Sequence, residues 1–275
     1  GGRTALESPF VRRGDLLASL ITFVQHHPSL SYMFNGLFVG PTSQSPRIDE
    51  ARNDSLYEFE IALARGFAEL EDWAPWENDR LYRHLLTDLT GHTHRAEICI
   101  DKLFDHQGVT GRQGIVELRA FEMPPHPRMV SAQMFLMRAL IASFAQTPYR
   151  GELVRWGTRL HDQFLLPTWM WADFQDVLEH LRRSGIDFPD ETYRPFLELR
   201  CPLVGRFESA GVEVEIRNAI EPWNVLGEEL TTTGTSRYVD SSMERIEISA
   251  EGFVPERHAI AVNGTIIPVR SNGRS

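Results

Sequence analysis

Three segments of the chain place charged side chains at spacings that could do chemistry. From Arg95 to Ile100 the residues alternate, putting Arg95, Glu97 and Cys99 on one face of an extended strand and Ala96, Ile98 and Ile100 on the other. Ile115 to Phe121 repeats the pattern, with Glu117 and Arg119 opposite Val116, Leu118 and Ala120. A short loop of Gly and polar residues separates the two, so they are expected to lie close together in one sheet with their polar faces converging. Converging carboxylates bind a divalent metal, and Arg beside them grips phosphate oxygens in bidentate fashion; a merely solvated strand face is the alternative.

The second segment, Gly40 to Arg52, is dense in hydrogen-bonding groups and carries Arg47 and Arg52. It reads either as a capped connection or as a clamp for a substrate carboxylate, whose fork matches a planar guanidinium. The third, His92-Thr93-His94 with Glu97 three residues on, has the form of an HxH metal cluster, although loops entering strands commonly carry structural or exposed His. No GxSxG elbow anchors Ser nucleophile chemistry. Glu213, Glu215 and Arg217 alternate with Val212, Val214 and Ile216 as a half-exposed strand does, and Trp169, Trp171 and Phe174 are spaced as core.

The 275 residues carry a net charge of −10, from 28 Lys and Arg against 38 Asp and Glu, and Lys102 is the one Lys among the 28. No glycine-rich run precedes it, which excludes a P-loop, and Asp101 beside it disfavours a Schiff-base amine. Phosphate would have to be held by Arg, backbone amides or a metal. The acidic balance, with no basic run longer than two residues, argues against nucleic acid as a partner. Cys99 and Cys201 form no disulfide or metal spacing, so a reducing, cytoplasmic setting is expected. No apolar stretch approaches the roughly 18 residues of a membrane span, so no membrane partner is expected. The chain opens Gly1-Gly2-Arg3 and has its first Met at Met33, as expected of a piece of something longer.

Apolar positions three and four apart predict helices from Asp15 to Gln25, from about Asp54 (as cap) to Phe67, and from Pro75 along Leu81, Leu85 and Leu89 to Gly91. Met129 to Gln146 is apolar nearly all round and is expected to be a buried central helix. Two more follow, with stripes Leu153, Trp156, Leu160, Phe164 and Met170, Phe174, Val177, Leu178, Leu181, the last ended by Gly185. From about residue 196 the texture turns to short strands: Val212 to Arg217, Arg237 to Asp240, Met243 to Ile248, His258 to Val262 and Thr265 to Val269, with Asn263-Gly264 as a two-residue turn. The expected division is 1–190, a partial α+β domain, and 191–275, a β-rich C-terminal domain.

Taken with Thr42 to Arg47, Thr93 to Glu97 and Val116 to Arg119, the sequence resembles the glutamine-synthetase-like carboxylate-amine ligases. The runs His26 to Glu58, Gly91 to Phe104, Val116 to Met129, Glu221 to Glu229 and Arg237 to Arg245 resemble, more specifically, a bacterial amidoligase family. Its members sit in large proteins behind a transglutaminase-like domain. The resemblance covers nearly the whole chain. It implies an α+β fold with an incomplete glutamine-synthetase-like antiparallel sheet, packed helices and the β-rich C-terminal region.

It also implies roles. Glu117 and Arg119 match the second half of an Arg-x-Glu-x-Arg strand, which supplies a metal-binding Glu and a phosphate-binding Arg; Ile115 stands where the first Arg is expected. His94-Arg95 resembles the Asn-Arg strand of that fold, and Gln44-Ser45-Pro46-Arg47 resembles its carboxylate-clamping Asn-Ser-x-x-Arg loop with one residue fewer. The implied catalytic groups are Arg47, Arg95 and Arg119, with Arg119 and Arg95 on the nucleotide and Glu117 and Glu97 on the metal. ATP and magnesium are the implied cofactors, and an amide would form through an acyl phosphate from a small-molecule or peptide carboxylate and an amine. The ligases' upstream strands carry further carboxylates, so this chain would hold half a site and be inactive alone. Two other readings stay open: a non-catalytic peptide-recognition module serving the transglutaminase-like domain, and a metal-dependent hydrolase using His92, His94 and Glu97. Arg237, Asp240 and Arg245 suit either a structural or a functional role.

Overall fold

A computed structural model describes residues 4–36, 39–40, 43, 45–52, 56–68, 72–105, 108, 110–223, 225–231, 234–269 and 271. Helices come first: α1 (Pro9–Arg12), α2 (Gly14–His26), α3 (Ser29–Tyr32), α4 (Ile48–Arg52), α5 (Tyr57–Gly66) and α6 (Glu77–Tyr82). Two short strands, β1 (Ile98–Cys99) and β2 (Glu117–Leu118), precede α7 (Pro127–Gln146), α8 (Arg159–Phe164), α9 (Pro167–Arg183) and α10 (Arg194–Arg200). Strands complete the chain: β3 (Leu203–Ser209), β4 (Val212–Asn218), β5 (Val225–Thr231), β6 (Gly234–Val239), β7 (Ile246–Glu251), β8 (Ile260–Val262) and β9 (Thr265–Ile267). This is an α+β architecture, as the sequence indicates.

The centre belongs to α2. Every residue from Leu16 to Gln25 is buried, because α5 and α6 pack on it and α7 crosses it as well. An apolar run with only Ser19, Thr22 and Gln25 to satisfy can be covered on all sides. The sequence points to α7 for this place, and the structure corrects that. Ala132, Leu136, Met137, Leu140 and Phe144 of α7 face the core, while Met134 and Phe135 are 58% and 62% exposed. Apolar composition all round a helix does not say which face is covered; the neighbours decide. By length and composition the 20-residue α7 is also apolar enough to cross a membrane, although no such stretch is expected from the sequence.

Aromatic rings join α2 to its neighbours. Phe23 lies 5.2 Å from Phe144, 4.8 Å from Tyr149 and 4.8 Å from His180, centroid to centroid. Asp173 of α9 reaches the start of α3, taking the Ser29 amide at 2.9 Å and His27 Nδ1 at 3.0 Å. The α9 stripe Met170, Phe174, Val177, Leu178 and Leu181 is buried as its spacing predicts, and Gly185 (φ +80°) ends the helix with the Ile186 amide returning to the Leu181 carbonyl.

Other elements are shorter than their patterns. The helix expected from Asp54 begins at Tyr57, and Asp54 lies outside the described residues. The next is confined to Glu77–Tyr82: Leu89 is exposed, and the Asp88 carboxylate takes the Thr90 and His92 amides, closing a turn instead. Residues 151–156 are irregular, so only the second half of the Leu153 to Phe164 stripe is helical. The strands expected over Arg95 to Ile100 and Ile115 to Phe121 reduce to a two-residue ladder, Ile98 opposite Leu118 and Cys99 opposite Glu117, since Thr93–Arg95 is wound into a 3-10 turn.

Towards the C-terminus, β3, β4 and β7 form an antiparallel sheet, and β5–β6 and β8–β9 form hairpins. Asn263 and Gly264 both take positive φ, as the two-residue turn between β8 and β9 requires; Ala210-Gly211 does the same between β3 and β4. The sheet is tied to the helices where the Ile220 amide meets the Leu165 carbonyl (2.9 Å) and Thr168 Oγ1 donates to Glu247 (2.6 Å). Tyr193, Phe196, Cys201 and Ile220 join the same buried cluster as α2 and α9.

Phe23→Ala should therefore lower stability by about 3–5 kcal/mol, the usual range for emptying a buried aromatic site. Denaturant midpoints measure this, and a loss under 1 kcal/mol would show that α2 is not the centre of the core.

Candidate functional site

The loop before Arg47 and the two strand segments meet. The Glu97 amide donates to the Pro46 carbonyl (3.3 Å), and the Arg119 amide donates to the Glu97 carbonyl (2.8 Å). The loop before Arg47, the segment ending in β1 and the one following β2 therefore run side by side. The side chains divide into a buried group and a partly exposed one.

The buried group is built around Arg47, which is 1% exposed. Its guanidinium spends all five donors inside the protein. Nε and Nη2 grip the two Asp49 oxygens at 3.0 Å each, Nη1 meets the Val24 carbonyl (3.1 Å) and Ser31 Oγ (2.7 Å), and Nη2 also meets the Gln25 carbonyl (3.1 Å). These carbonyls end α2, where unsatisfied backbone acceptors and the helix dipole favour a cation. Burial opposes the Arg47 charge, but Asp49, Glu97 and the bond to Asp49 outweigh it and its pKa is raised. Arg47 thus has no donor left for a substrate carboxylate in this conformation.

Two more carboxyl groups complete the cluster. Glu50 accepts from Tyr32 Oη (2.7 Å), the Arg47 amide (2.9 Å) and His161 Nε2 (2.9 Å). Burial pushes its pKa up, yet the bonds from His161, Tyr32 and Arg47 more than reverse this, and the net shift is downward. Glu97 accepts only from Ser31 Oγ (2.7 Å); its other oxygen, Oε1, is buried without a partner. Burial pushes the Glu97 carboxyl up to about 7, with Arg47 offsetting only part. A cavity of about 10 Å³ beside it, lined by Val24, Leu30, Ile98, Leu118 and Met137 among others, has room for a single water and not for a substrate.

The partly exposed group sits at β2. Glu117 Oε1 is held by Lys102, and its Oε2 by Arg119 Nη2 at 2.8 Å. Lys102 is the main reason that the Glu117 pKa is lowered; Arg119 adds to it against burial. Arg119 also donates to the His94 carbonyl, and its Nε is buried without a partner. Burial disfavours its charge, but Glu117 holds the net pKa above the ordinary value. The arrangement offers a carboxylate flanked by two cations, in a segment backbone-bonded to one that carries a second carboxyl group sealed from solvent. Environments that push two carboxyl groups apart in this way are typical of sites that handle charge or protons.

Arg95 ends the Thr93–Arg95 turn, half-buried, and His94 is largely exposed with Nδ1 3.1 Å from Asp101. Among the described residues no group of three or more His, Cys, Asp or Glu could by itself hold a metal ion. Arg245 bonds Glu221 (3.0 Å) and the His161 carbonyl (2.8 Å), tying the sheet to the helices, and Asp240 caps a turn at Ser242. The side chain of Arg237 lies outside what is described. Sequence reasoning passed over Ser31, Tyr32, Glu50 and His161, which come from three separate segments. It also read Lys102 only as a poor nucleophile, where alternation on the facing strand could have suggested the Glu117 pair.

Two predictions follow from the buried cluster. Arg47→Ala leaves Asp49 buried without its counter-ion and should cost about 3–5 kcal/mol, measured by urea unfolding; an effect under 1 kcal/mol would contradict the cluster. Glu97 binds its proton more readily folded than unfolded, so its contribution to stability is lost as pH rises from the ordinary carboxyl range through about 7. Glu97→Gln lacks that loss, and its stability relative to wild type should rise between pH 5 and 7 by about 2 kcal/mol. Parallel pH profiles for the two proteins would rule this out.

No curated protein and no solved structure matches the chain. A family model described as "Putative amidoligase enzyme (DUF2126)" matches residues 1–275. The chain belongs to this amidoligase family.

Proposed function

We propose that the chain forms part of an ATP- and magnesium-dependent carboxylate-amine ligase, with Glu117 and Arg119 at the phosphoryl-transfer face. The observation that carries this reading is the Lys102–Glu117–Arg119 group on β2, partly open to solvent, with Glu97 behind it in a segment backbone-bonded to that of Arg119. Membership of an amidoligase family supports amide formation as the reaction.

Magnesium usually binds through one or two carboxylates, substrate phosphates and water, not through a closed protein cage. Glu117, partly exposed and with its pKa lowered, would serve in that mode once Lys102 or Arg119 releases one of its oxygens, and Glu97, sealed behind it with Oε1 unpartnered, would act as a second carboxyl group only if the segment opened. Bound there, magnesium would neutralise phosphate charge. Arg119, whose side chain is partly exposed, stabilises the charge that develops on the transferring phosphoryl group, and Arg95 supports the nucleotide from the preceding turn. The substrate carboxylate oxygen attacks the terminal phosphorus and ADP leaves; the amine nitrogen then attacks the acyl carbon, the carbon–oxygen bond to phosphate breaks, and inorganic phosphate leaves carrying the proton the amine loses. Arg47 acts indirectly, fixing Ser31 and through it Glu97.

In the full-length protein, supplied with Mg-ATP, a carboxylate and an amine, Glu117→Ala and Arg119→Ala should each reduce ADP release by roughly 100-fold or more, as loss of a transition-state charge contact does. Their unfolding midpoints should remain within a few degrees of wild type, because both side chains are partly exposed. Wild-type protein showing no Mg-ATP-dependent rise in its unfolding temperature would sink the proposal.

A further inference from the structure

On another part of the surface an open groove of about 490 Å³ is lined by Trp76, Arg80, Phe104 and Arg112. Its volume is in the range of small-molecule sites. It shares no lining residue with the Glu117–Arg119 face. Trp76, at the start of α6, is the only Trp among the described residues whose side chain is largely exposed, at 42%. Phe104 is 9% exposed, with the Arg112 guanidinium 5.1 Å from its ring centroid, and Arg112 Nε donates to the Asp105 carbonyl at 2.8 Å. Arg112 is therefore held in place over an aromatic ring.

Arg80, one turn along α6 from Trp76, is exposed, and its side chain meets no hydrogen-bond or ion-pair partner among the described residues. Asp79 holds Arg83 (Nε at 2.8 Å), and Arg83 also reaches Asp105 (3.4 Å). In a chain of net charge −10, this open groove is lined by two guanidinium groups, with no carboxylate among the residues that line it. An exposed indole beside them offers a flat apolar face, which stacks on a planar ring, while the guanidinium fork matches carboxylate or phosphate oxygens.

We infer that the Trp76–Arg80–Phe104–Arg112 groove binds a small anion carrying a planar ring, the ring on Trp76 and the anionic group on Arg80 and Arg112. Two sources share this chemistry, a nucleoside phosphate and an aromatic carboxylic acid. The assignment is independent of the ligase reading and stands or falls without it.

Calorimetric titration in EDTA, with ADP, adenosine, pyrophosphate and indole-3-acetate as probes, tests it. Saturable binding of ADP identifies the nucleotide source and saturable binding of indole-3-acetate the acid source. In either case adenosine and pyrophosphate should bind at least tenfold more weakly. Arg80→Gln and Trp76→Ala should each weaken the binding at least tenfold while keeping the wild-type unfolding midpoint, and Trp76→Phe should restore part of it. The inference is overturned if neither ring-bearing anion binds at millimolar concentration, if pyrophosphate binds as tightly as ADP, or if Arg80→Gln and Trp76→Ala bind like wild type.

Discussion

The architecture around the site depends on one buried guanidinium. Arg47 closes the C-terminal end of α2 by taking the Val24 and Gln25 carbonyls, and the same fork holds Asp49 and Ser31. A charge this deeply buried is tolerable only when every donor is matched, because desolvation otherwise costs several kcal/mol. Matching them fixes the position of the loop before α4, of α3 through Ser31, and of Glu97 through the Ser31 hydroxyl. The backbone then carries the order outward, from Pro46 to Glu97 to Arg119. The exposed carboxylate and its two cations thus rest on a rigid interior.

The two carboxyl groups in adjoining segments illustrate how environment separates identical chemistry. Glu117, with Lys102 and Arg119 on its two oxygens, has its pKa lowered. Glu97, sealed with one hydroxyl donor, is pushed up by burial to about 7. Nothing in the alternation of their strands distinguishes them; the burial and the number of donors do.

Much of this was legible in the sequence and some was not. Alternation over residues 95–100 and 115–121 identified two neighbouring segments, and the structure pairs them with Cys99 opposite Glu117. The α9 stripe and the Asn263-Gly264 turn follow from local rules of spacing and φ, which tertiary context did not override. Arg47 reads from the sequence as part of a capped connection or as a clamp for a substrate carboxylate; Arg is seldom fully buried, and the carbonyls that receive it lie more than twenty residues earlier, at a helix end no local pattern marks. The exchange of roles between α2 and α7 has the same origin. Both are apolar, and only the packing of α5 and α6 decides which is enclosed. The glutamine-synthetase-like resemblance implies a sheet at β1 and β2, where the structure has a ladder of two residue pairs.

The central claim is that the β2 face engages the phosphates of a magnesium nucleotide. Calorimetric titration of the full-length protein with a non-hydrolysable ATP analogue, with and without magnesium, measures this most directly. The account predicts a magnesium-dependent component of binding that disappears in Glu117→Gln and in Arg119→Gln while both proteins remain folded. Magnesium-dependent binding of equal strength in wild type and both variants would contradict it.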